Sequence, residues 1–388
     1  MERNNPIGRR IDVNMLFVLF LLIATSLVAV YAAQLSDSSL GNIAVKQAMW
    51  FLVGAVMLVP MTLFDMEQYE KMAWGLYAIG LASLGFLMVA PASIVHIGNG
   101  AKSWYSFPGI GTFQPSELMK PFLIVCLARV IDRHHLNEPD NKTLKDDGLL
   151  VLKTGLITLV PIAFIMMQPD LGTSLVIIAI YFTMLIASRI SGKILIPLFA
   201  GVAAFASAVI YIAVRYGEWL KKIGVDTYQL NRITSWLSGG QINNDQTYQL
   251  HQSLLAIGSG KVYGSGFSPS DAVYLPESHT DFIFSVITEH FGFIGGALVI
   301  CLYFILIYHI IMTGIHSNQA FGSYLCAGVV GMLSFHVVEN IGMVIGLLPI
   351  TGIPLPFISY GGSSVLGSMM SIGLVMSVKY HTRYLMFS

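Results

Sequence analysis

Charged residues are scarce in this chain. Asp, Glu, Lys and Arg make up 11% of its 388 residues, whereas about 25% is usual in a soluble domain. The formal net charge is zero at pH 7, so the chain has no basic excess to neutralise phosphates, and no nucleic acid is expected as a partner. Together with a hydrophobic content of 55%, this composition excludes an ordinary soluble domain and indicates a protein that lies in a bilayer.

Cysteine is also rare. The three cysteines, Cys126, Cys301 and Cys326, lie inside apolar stretches, where a disulfide framework is not expected. We find no internal repeat, which argues mildly against transporter folds built from inverted halves. No separate soluble domain is predicted, so residues 1–388 are interpreted as a single integral membrane domain.

Long apolar stretches fill most of the sequence. A helix of roughly 17–25 apolar residues crosses about 30 Å of hydrocarbon. Ten stretches approach or exceed this length, at 14–34, 44–63, 72–90, 115–131, 149–168, 171–188, 194–214, 282–312, 320–347 and 361–378. The predicted fold class is therefore an all-α polytopic membrane protein with about ten transmembrane helices and a large external loop, 215–281, between the seventh and eighth.

Lysine and arginine predict the orientation. Arg10, Arg133 and Lys379 are typical of the many basic residues that fall on one face of this ten-helix arrangement, while the short loops of the other face hold only Lys46 and Lys102. Basic residues are enriched in cytoplasmic loops, so both termini, including a tail at 1–13, are expected to be cytoplasmic. The loops at 215–281 and 348–360 are then extracellular. The first apolar run follows a short basic tail without a small-residue cleavage site, so we interpret it as a retained anchor in the cell membrane.

Two predicted helices carry acidic residues at their external ends. Glu117 and Lys120 are three residues apart in the fourth span, so they share a helix face and can pair. A structural ion pair and a functional pair that faces a cavity both fit this pattern. Asp170 begins the sixth span, where helix capping explains an aspartate as well as a function does.

Asp281 stands one residue before the long apolar run that begins with Phe282. A partly desolvated carboxylate at the outer end of a span has a raised pKa and can act as a general base towards a hydroxyl group. A helix N-cap is the alternative, and position alone favours it. In the ninth span, His336, Glu339 and Asn340 share one helix face, but one histidine with one carboxylate is a weak ligand set for a metal.

The segment that follows the ninth span is rich in proline and glycine. Pro349, Pro354 and Pro356 each remove a backbone donor, and Gly352 permits a turn, so the segment does not continue as a helix through lipid. Irregular backbone at membrane depth must be buried in protein or line a cavity. The pattern therefore predicts a rigid loop or a cavity wall.

Six motifs in order resemble the SEDS family (shape, elongation, division and sporulation). The motifs are GAKSW at 100–104, FQPSELMK at 113–120, QPDLGT at 168–173, QSLLAIGSG at 252–260, LPESHTDFIFSVI at 275–287 and NIGMVIGLLPITGIPLPFISYGGSS at 340–364. The motifs QPDLGT and AIGSG are more similar to the elongation branch, RodA, than to the division branch, FtsW. A division or sporulation paralogue is the alternative.

The resemblance implies a peptidoglycan glycosyltransferase that polymerises lipid II into glycan strands at the outer face of the cytoplasmic membrane, during cell elongation and shape maintenance. It implies that Asp281 is the general base and that Glu117 and Lys120 lie in the same catalytic cavity. It also implies a divalent cation, Mg²⁺ or Mn²⁺, with ligands that the sequence does not identify, and a class B penicillin-binding protein as partner.

Other polar and aromatic residues of these motifs are expected to bind substrate. They are Lys102, Trp104, Gln114, Ser116, Asp170, His279, Thr280, Asn340, Ser359 and Tyr360. Many family members have arginine before the loop tryptophan, whereas this chain has Ser103, which puts the role of Lys102 in doubt.

Two other classes of function fit part of the pattern. A lipid II flippase would use the intramembrane charges Glu117, Lys120 and Glu339 along a translocation path, and a scaffold would only anchor the penicillin-binding protein. The distinctive residues cluster on the outer face, which favours polymerisation over transport.

Overall fold

The predicted helices all form. The computed structural model describes residues 12–37, 40–91, 93–98, 101–107, 111–137, 143–222, 232, 236–237, 245–267 and 275–382. Each of the ten predicted spans coincides with a helix, so the all-α membrane fold is confirmed. Most of the tail predicted at 1–13, and much of the loop at 215–281, lie outside the described residues.

The described part of the chain contains eleven α-helices and three β-strands. In chain order they are α1 (Val13–Ser36), α2 (Ile43–Leu63), α3 (Met66–Val89), β1 (Val95–Gly98), β2 (Ala101–Phe107), β3 (Gly111–Phe113), α4 (Pro115–Leu136), α5 (Leu144–Met166), α6 (Leu171–Ala187), α7 (Gly192–Lys222), α8 (Asp245–Gly260), α9 (Ile283–Ile315), α10 (Ala320–Val344) and α11 (Gly362–His381).

Seven of these helices are long and apolar enough to cross a membrane by themselves: α1, α2, α3, α5, α7, α9 and α10. The other three predicted spans are α4, α6 and α11. Helix α6 has 17 residues, and α4 carries the buried charges of Glu117 and Lys120. Because α4 and α11 are buried along most of their length, they are shielded from lipid by neighbouring helices, and a lower hydropathy is tolerated there.

The centre of the bundle is formed by α4, α10 and α11. Helix α10 packs against α4, α6 and α9, and α11 packs against α2 and α4. Glycines allow these close approaches: a Cβ at Gly328 of α10 would lie 2.7 Å from the Ile124 side chain of α4. The central helices fix the relative positions of the loops at one end of the bundle, where the predicted site residues lie.

A small antiparallel sheet follows α3. Its strand order is β1-β2-β3, with Val95 opposite Tyr105 and Tyr105 opposite Phe113. Aromatic residues favour this conformation, and the Tyr105 hydroxyl donates to the Ser83 carbonyl of α3 at 2.8 Å. The sheet is thereby tied to the helix bundle, and it brings Trp104 to the candidate site.

Helix α8 lies in the large loop and packs against α9, as the helical spacing of TYQLHQSLLAIGSG predicts. Gly258, Ser259 and Gly260 belong to the last turn of α8. The turn that follows begins at Lys261, which has a φ of 49°.

Candidate active site

A polar cavity of about 380 Å³ opens at the end of the bundle where α4, α6, α9 and α11 begin. Six segments contribute to its wall: strand β2, the start of α4, the α5–α6 turn, Arg232, the turn before α9 and the proline-rich loop before α11. The predicted site residues that line it are Trp104, Gln114, Glu117, Asp170, Thr280, Asp281 and Tyr360. The cavity therefore unites parts of five of the six sequence motifs.

Four helices present their N-terminal ends to this cavity. Gln114, Asp170 and Gly361 are the N-caps of α4, α6 and α11, and Asp281 directly precedes Phe282, the N-cap of α9. The N-terminal end of a helix carries about half a positive elementary charge and unpaired N–H groups. Converging helix N-termini favour an anionic ligand such as a phosphate group.

The turn that carries Asp281 is held by three hydrogen bonds to successive backbone carbonyls. The Tyr360 N–H donates to the His279 carbonyl at 2.9 Å, the Ser359 hydroxyl to the Thr280 carbonyl at 2.6 Å, and the Asn340 amide to the Asp281 carbonyl at 2.8 Å. Asn340 also donates to the Ile353 carbonyl at 2.8 Å. The proline-rich loop and α10 thus fix the backbone on which the carboxylate is mounted.

Asp281 is not the N-cap of α9, so the capping alternative for this residue is wrong. The N-cap is Phe282, which makes no side-chain capping bond. The side chain of Asp281 instead lines the cavity, where Gly352 passes close by: a Cβ on Gly352 would lie 3.2 Å from Oδ2 of Asp281. Gly352 has a φ of 71°, so a glycine is needed there for its conformation, and it leaves the carboxylate accessible.

The pKa of Asp281 is raised to about 7, first by burial and then by the negative charges of Glu277 and Asp170, while the positive charge of Arg232 opposes the shift. Arg232 reaches the same wall of the cavity, and its Nη1 donates to the Thr351 carbonyl at 2.9 Å. A carboxyl group whose pKa is near neutrality can accept and release a proton at working pH.

Glu117 and Lys120 pair in the protein interior, as their spacing predicts. The Lys120 Nζ lies 2.8 Å from Oε1 of Glu117, and both side chains are almost fully buried. The same ammonium donates to Nε2 of His336 at 3.0 Å. On the other side of the ring, Nδ1 lies 3.1 Å from the Pro354 carbonyl oxygen. Both contacts fit a neutral His336 that carries its proton on Nδ1. This chain of contacts connects α4 and α10 to the proline-rich loop.

Asp170 caps α6 and also faces the cavity. Its Oδ1 accepts from the Thr173 N–H at 2.9 Å, and its Oδ2 accepts from the Thr173 hydroxyl at 2.7 Å. Oδ2 accepts a further bond from the Gln114 side-chain amide at 2.9 Å. Both of its carboxylate oxygens are therefore engaged, which makes Asp170 a structural link between α4 and α6.

Several predicted substrate-binding residues lie away from the cavity wall. Ser116 and Asn340 are fully buried, and Ser359 is buried beneath the wall. His279 packs against the Tyr360 ring, with 5.6 Å between ring centroids. Lys102 is exposed, and it is its neighbour Ser103 that lines the cavity. Among these residues, Asn340 and Ser359 support the site through their backbone contacts.

Sequence reasoning missed Arg232 and Thr351, which both line the cavity. Arg232 lies in the segment YQLNRITSWL, and its position as the single charged residue of that segment could have marked it. Nothing in the local pattern of that segment places it opposite Asp281, because that proximity depends on the tertiary fold.

The described residues do not assemble a metal site by themselves. No group of three or more His, Cys, Asp or Glu side chains in the described part of the chain is suitably placed to hold an ion. Mg²⁺ is often bound by one or two carboxylates together with substrate phosphates. Glu277, which lines the cavity beside Asp281, fits a Mg²⁺ site only together with substrate phosphates.

A sequence profile of the FtsW/RodA/SpoVE family, described as "Cell cycle protein", matches residues 11–384 of this chain. The chain belongs to this family. It is the SEDS family whose motifs the sequence contains, so that prediction is confirmed.

Members of this FtsW/RodA/SpoVE family are similar to the chain along almost its whole length. Stage V sporulation protein E of Bacillus subtilis is 30% identical, and the match covers 96% of this chain and 98% of that protein. The peptidoglycan glycosyltransferase MrdB of Escherichia coli K12 is 31% identical over 97% and 95% of the two chains. A probable peptidoglycan glycosyltransferase FtsW of Nitrosomonas europaea is also 31% identical. These identities do not separate the branches, so membership of the elongation branch stays a prediction.

Solved structures of the family share the fold. A chain from a structure described as a peptidoglycan synthase complex that coordinates polymerisation and crosslinking superposes with a TM-score of 0.75, at 24% identity and over 95% of this chain and 97% of that one. The rod shape determining protein RodA of Thermus thermophilus gives a TM-score of 0.67 at 24% identity, over 96% and 98% of the two chains.

Proposed function

We propose that this chain is a peptidoglycan glycosyltransferase that polymerises lipid II at the cavity described above, with Asp281 as the general base. The observation that carries the proposal is the combination of four helix N-termini and a single carboxyl group with a pKa of about 7 in one cavity. The helix ends suit the diphosphate of the donor, and the carboxyl group suits the hydroxyl of the acceptor. The curated relatives named as peptidoglycan glycosyltransferases support the same reaction.

The proposed reaction is a single displacement. The 4-hydroxyl of the acceptor GlcNAc attacks C1 of the donor MurNAc, and the new O–C1 bond forms as the bond from C1 to the diphosphate oxygen breaks. The hydroxyl proton passes to the Asp281 carboxylate, and undecaprenyl diphosphate leaves with the electron pair. Arg232 and the helix N-termini stabilise the negative charge that develops on the leaving group.

Glu117 has a supporting role in this mechanism. Its carboxylate lines the cavity and is neutralised by Lys120 at 2.8 Å. Because Lys120 and His336 are almost fully buried, they act on substrate only through Glu117 and the Pro354 carbonyl. We therefore assign Lys120 as a positioning residue for the wall that faces the diphosphate.

A cation and a partner protein complete the proposal. Glu277, which lines the cavity, would hold a divalent cation together with the substrate diphosphate, and the cation would neutralise negative charge there. A class B penicillin-binding protein is the proposed partner, and the peptidoglycan synthase complex of the similar structure supports it.

The test is lipid II polymerisation by the purified full-length protein with a transpeptidase-blocked penicillin-binding partner. Asp281→Asn keeps the size of the side chain but cannot accept the proton. We expect polymer from the wild type and a rate at least about 100-fold lower from Asp281→Asn, as for loss of a general base. Glu67→Gln, which removes an exposed carboxylate at the other end of the bundle, should retain the wild-type rate.

Polymerisation by well-folded Asp281→Asn at the wild-type rate would disprove the general-base assignment. Lipid II movement across sealed vesicles by both proteins, without any polymer, would replace the proposal by a flippase. A cooperative thermal unfolding of Asp281→Asn in detergent, at a temperature no lower than that of the wild type, establishes that a loss of rate does not come from misfolding.

A further inference from the structure

A second cavity lies at the opposite end of the bundle from the candidate active site. Its volume is about 570 Å³, and it lies between α3, α4 and α5. Its wall is formed by Val130 and six polar or aromatic residues, namely Trp74, Arg129, Arg133, His134, Asn137 and Lys153. Glu117 and Arg133 are sixteen residues apart on α4, so the two sites are separated by about 24 Å along that helix.

The charge of this second cavity is positive. Arg129, Arg133 and Lys153 are permanently charged at neutral pH, and the described residues that form the wall include no carboxylate. Three acids lie near these residues: Glu70 forms an ion pair with Nε of Arg133, Asp132 interacts electrostatically with Arg133, and Asp146 interacts with His134. None of the three lines the cavity, so the described wall itself carries three cations and no anion.

The two arginines are fixed in position by α3. Nη1 of Arg129 donates to the Glu70 carbonyl at 2.7 Å, and Nε of Arg133 donates to the Glu70 carboxylate. A guanidinium has five N–H donors in a rigid planar arrangement. These contacts orient both groups while they use only part of the donor set, which suits recognition of a phosphate group.

The cavity adjoins apolar surface that continues towards the middle of the bundle. On α5, Lys153, Leu156 and Val160 follow the i, i+3, i+7 spacing of one helix face, and the two apolar members are 58% and 41% exposed. Trp74 is 46% exposed at the wall of the cavity, and tryptophan is typical of the membrane–water interface. The cations therefore lie at headgroup level, and Leu156 and Val160 lie at acyl-chain level.

From this juxtaposition we infer that the cavity between α3, α4 and α5 binds the phosphate headgroup of an anionic glycerophospholipid, with an acyl chain along the exposed α5 face. Basic pockets between transmembrane helices bind such headgroups in membrane proteins generally. The site is separate from the proposed polymerisation site and does not depend on it. A soluble phosphate would satisfy the arginines but would make no use of the α5 face.

The test is native mass spectrometry of the purified full-length protein titrated with phosphatidylglycerol or with phosphatidylcholine of the same acyl chains. We expect specific binding of phosphatidylglycerol only. Arg129→Gln/Arg133→Gln should weaken it by at least about tenfold, because charge-assisted hydrogen bonds are lost. Arg189→Gln/Lys193→Gln removes the same charge from exposed positions outside the cavity, and it should change the affinity by less than about twofold.

Lys153→Gln provides a second variant that leaves the α3–α4 contacts intact, and its affinity for phosphatidylglycerol should also fall. Equal affinity of the wild type and both cavity variants would overturn the inference, as would equal binding of the two lipids. Displacement of phosphatidylglycerol by millimolar inorganic phosphate would overturn the lipid assignment in favour of a soluble anion.

Discussion

At the scale of single residues, the position of Asp281 depends on its neighbours' backbone more than on its own contacts. Three successive carbonyls, those of residues 279–281, accept hydrogen bonds from Tyr360, Ser359 and Asn340. The carboxylate itself remains at the cavity. A base that is held in this way needs no reorganisation before it accepts a proton, which is the arrangement that general-base catalysis requires.

The raised pKa of Asp281 predicts the pH dependence of polymerisation. The carboxylate is the active form, so with a pKa of about 7 its ionised fraction rises from about 10% at pH 6 to about 90% at pH 8. The rate at subsaturating lipid II should therefore increase several-fold over this interval and then level. A pH–rate profile of the wild type measures it, and a profile that is flat from pH 5 to pH 8 would contradict the assignment.

The raised pKa of Asp281 also predicts that the stability of the folded state falls as the pH rises, whereas the rate of polymerisation increases. The folded protein holds the Asp281 proton more tightly than the unfolded chain, whose aspartate has a pKa of about 3.9. The unfolded state therefore binds fewer protons between pH 4 and 7, and this group makes the folded state less stable as the pH rises through that window. Thermal unfolding of the wild type and of Asp281→Asn across this range measures the effect. The difference between their unfolding temperatures should narrow as the pH is lowered.

The sequence predicts some residue contacts and not others for a physical reason. The Glu117–Lys120 pair and the Asp170 cap follow from spacing of three residues within one helix, and both form. The approach of Arg232 to Asp281 joins segments about fifty residues apart, and periodicity within a helix carries no information about it. The bonds from the Asn340 amide to the Asp281 and Ile353 carbonyls likewise join different elements, and the sequence pattern of α10 does not predict them. Substrate binding by Asn340 stays a prediction.

At the scale of secondary-structure elements, hydropathy predicts the positions of the helices well and those of irregular backbone poorly. All ten predicted spans coincide with helices, because lipid requires each crossing segment to satisfy its own backbone hydrogen bonds. The sheet β1–β3 lies in the connection between α3 and α4, where no such requirement applies, and the hydropathy pattern does not predict it. The break in α9 was also missed, although Gly292 lies at the break.

The break at Gly292 is filled by the turn after α8. The N–H groups of Phe293 and Ile294 donate to the carbonyls of Lys261 and Val262 at 2.9 and 3.3 Å. Gly292 has φ 64° and ψ −163°, a region that is almost exclusive to glycine. Its missing side chain also makes room, because a Cβ there would lie 2.3 Å from the Val262 carbonyl oxygen. The break therefore anchors α8 to α9.

We predict that Gly292→Ala destabilises the protein by at least ~1–3 kcal/mol through backbone strain alone, with a further loss from the clash with Val262. Thermal unfolding in detergent measures the change. Gly258→Ala is the matched control, because Gly258 lies in α8 and a Cβ there meets nothing within 4 Å. This control should be stabilised by about 0.5–1 kcal/mol. Equal unfolding temperatures for Gly292→Ala and the wild type would show that the break is not required.

At the scale of the whole molecule, the two ends of the bundle have different chemistry. One end holds the cavity with four helix N-termini and the proline-rich loop. The other end holds the basic cavity of Arg129, Arg133 and Lys153. Helix α4 connects the two ends. It begins with a proline at one polar cavity and ends with basic residues at the other. The asymmetry predicts a fixed orientation in the membrane, with the active-site end outside.

Cysteine labelling tests this orientation. Lys102 and Lys145 are both exposed and lie at opposite ends of the bundle, so we expect Lys102→Cys to react with a membrane-impermeant maleimide in intact cells. Lys145→Cys should react only after permeabilisation. The background needs Cys301→Ser, because Cys301 is exposed on α9, whereas Cys126 and Cys326 are buried. If only Lys145→Cys were labelled in intact cells, the orientation would be opposite to the predicted one. The proposed polymerisation cavity would then lie on the side of the membrane where glycan strands are not assembled.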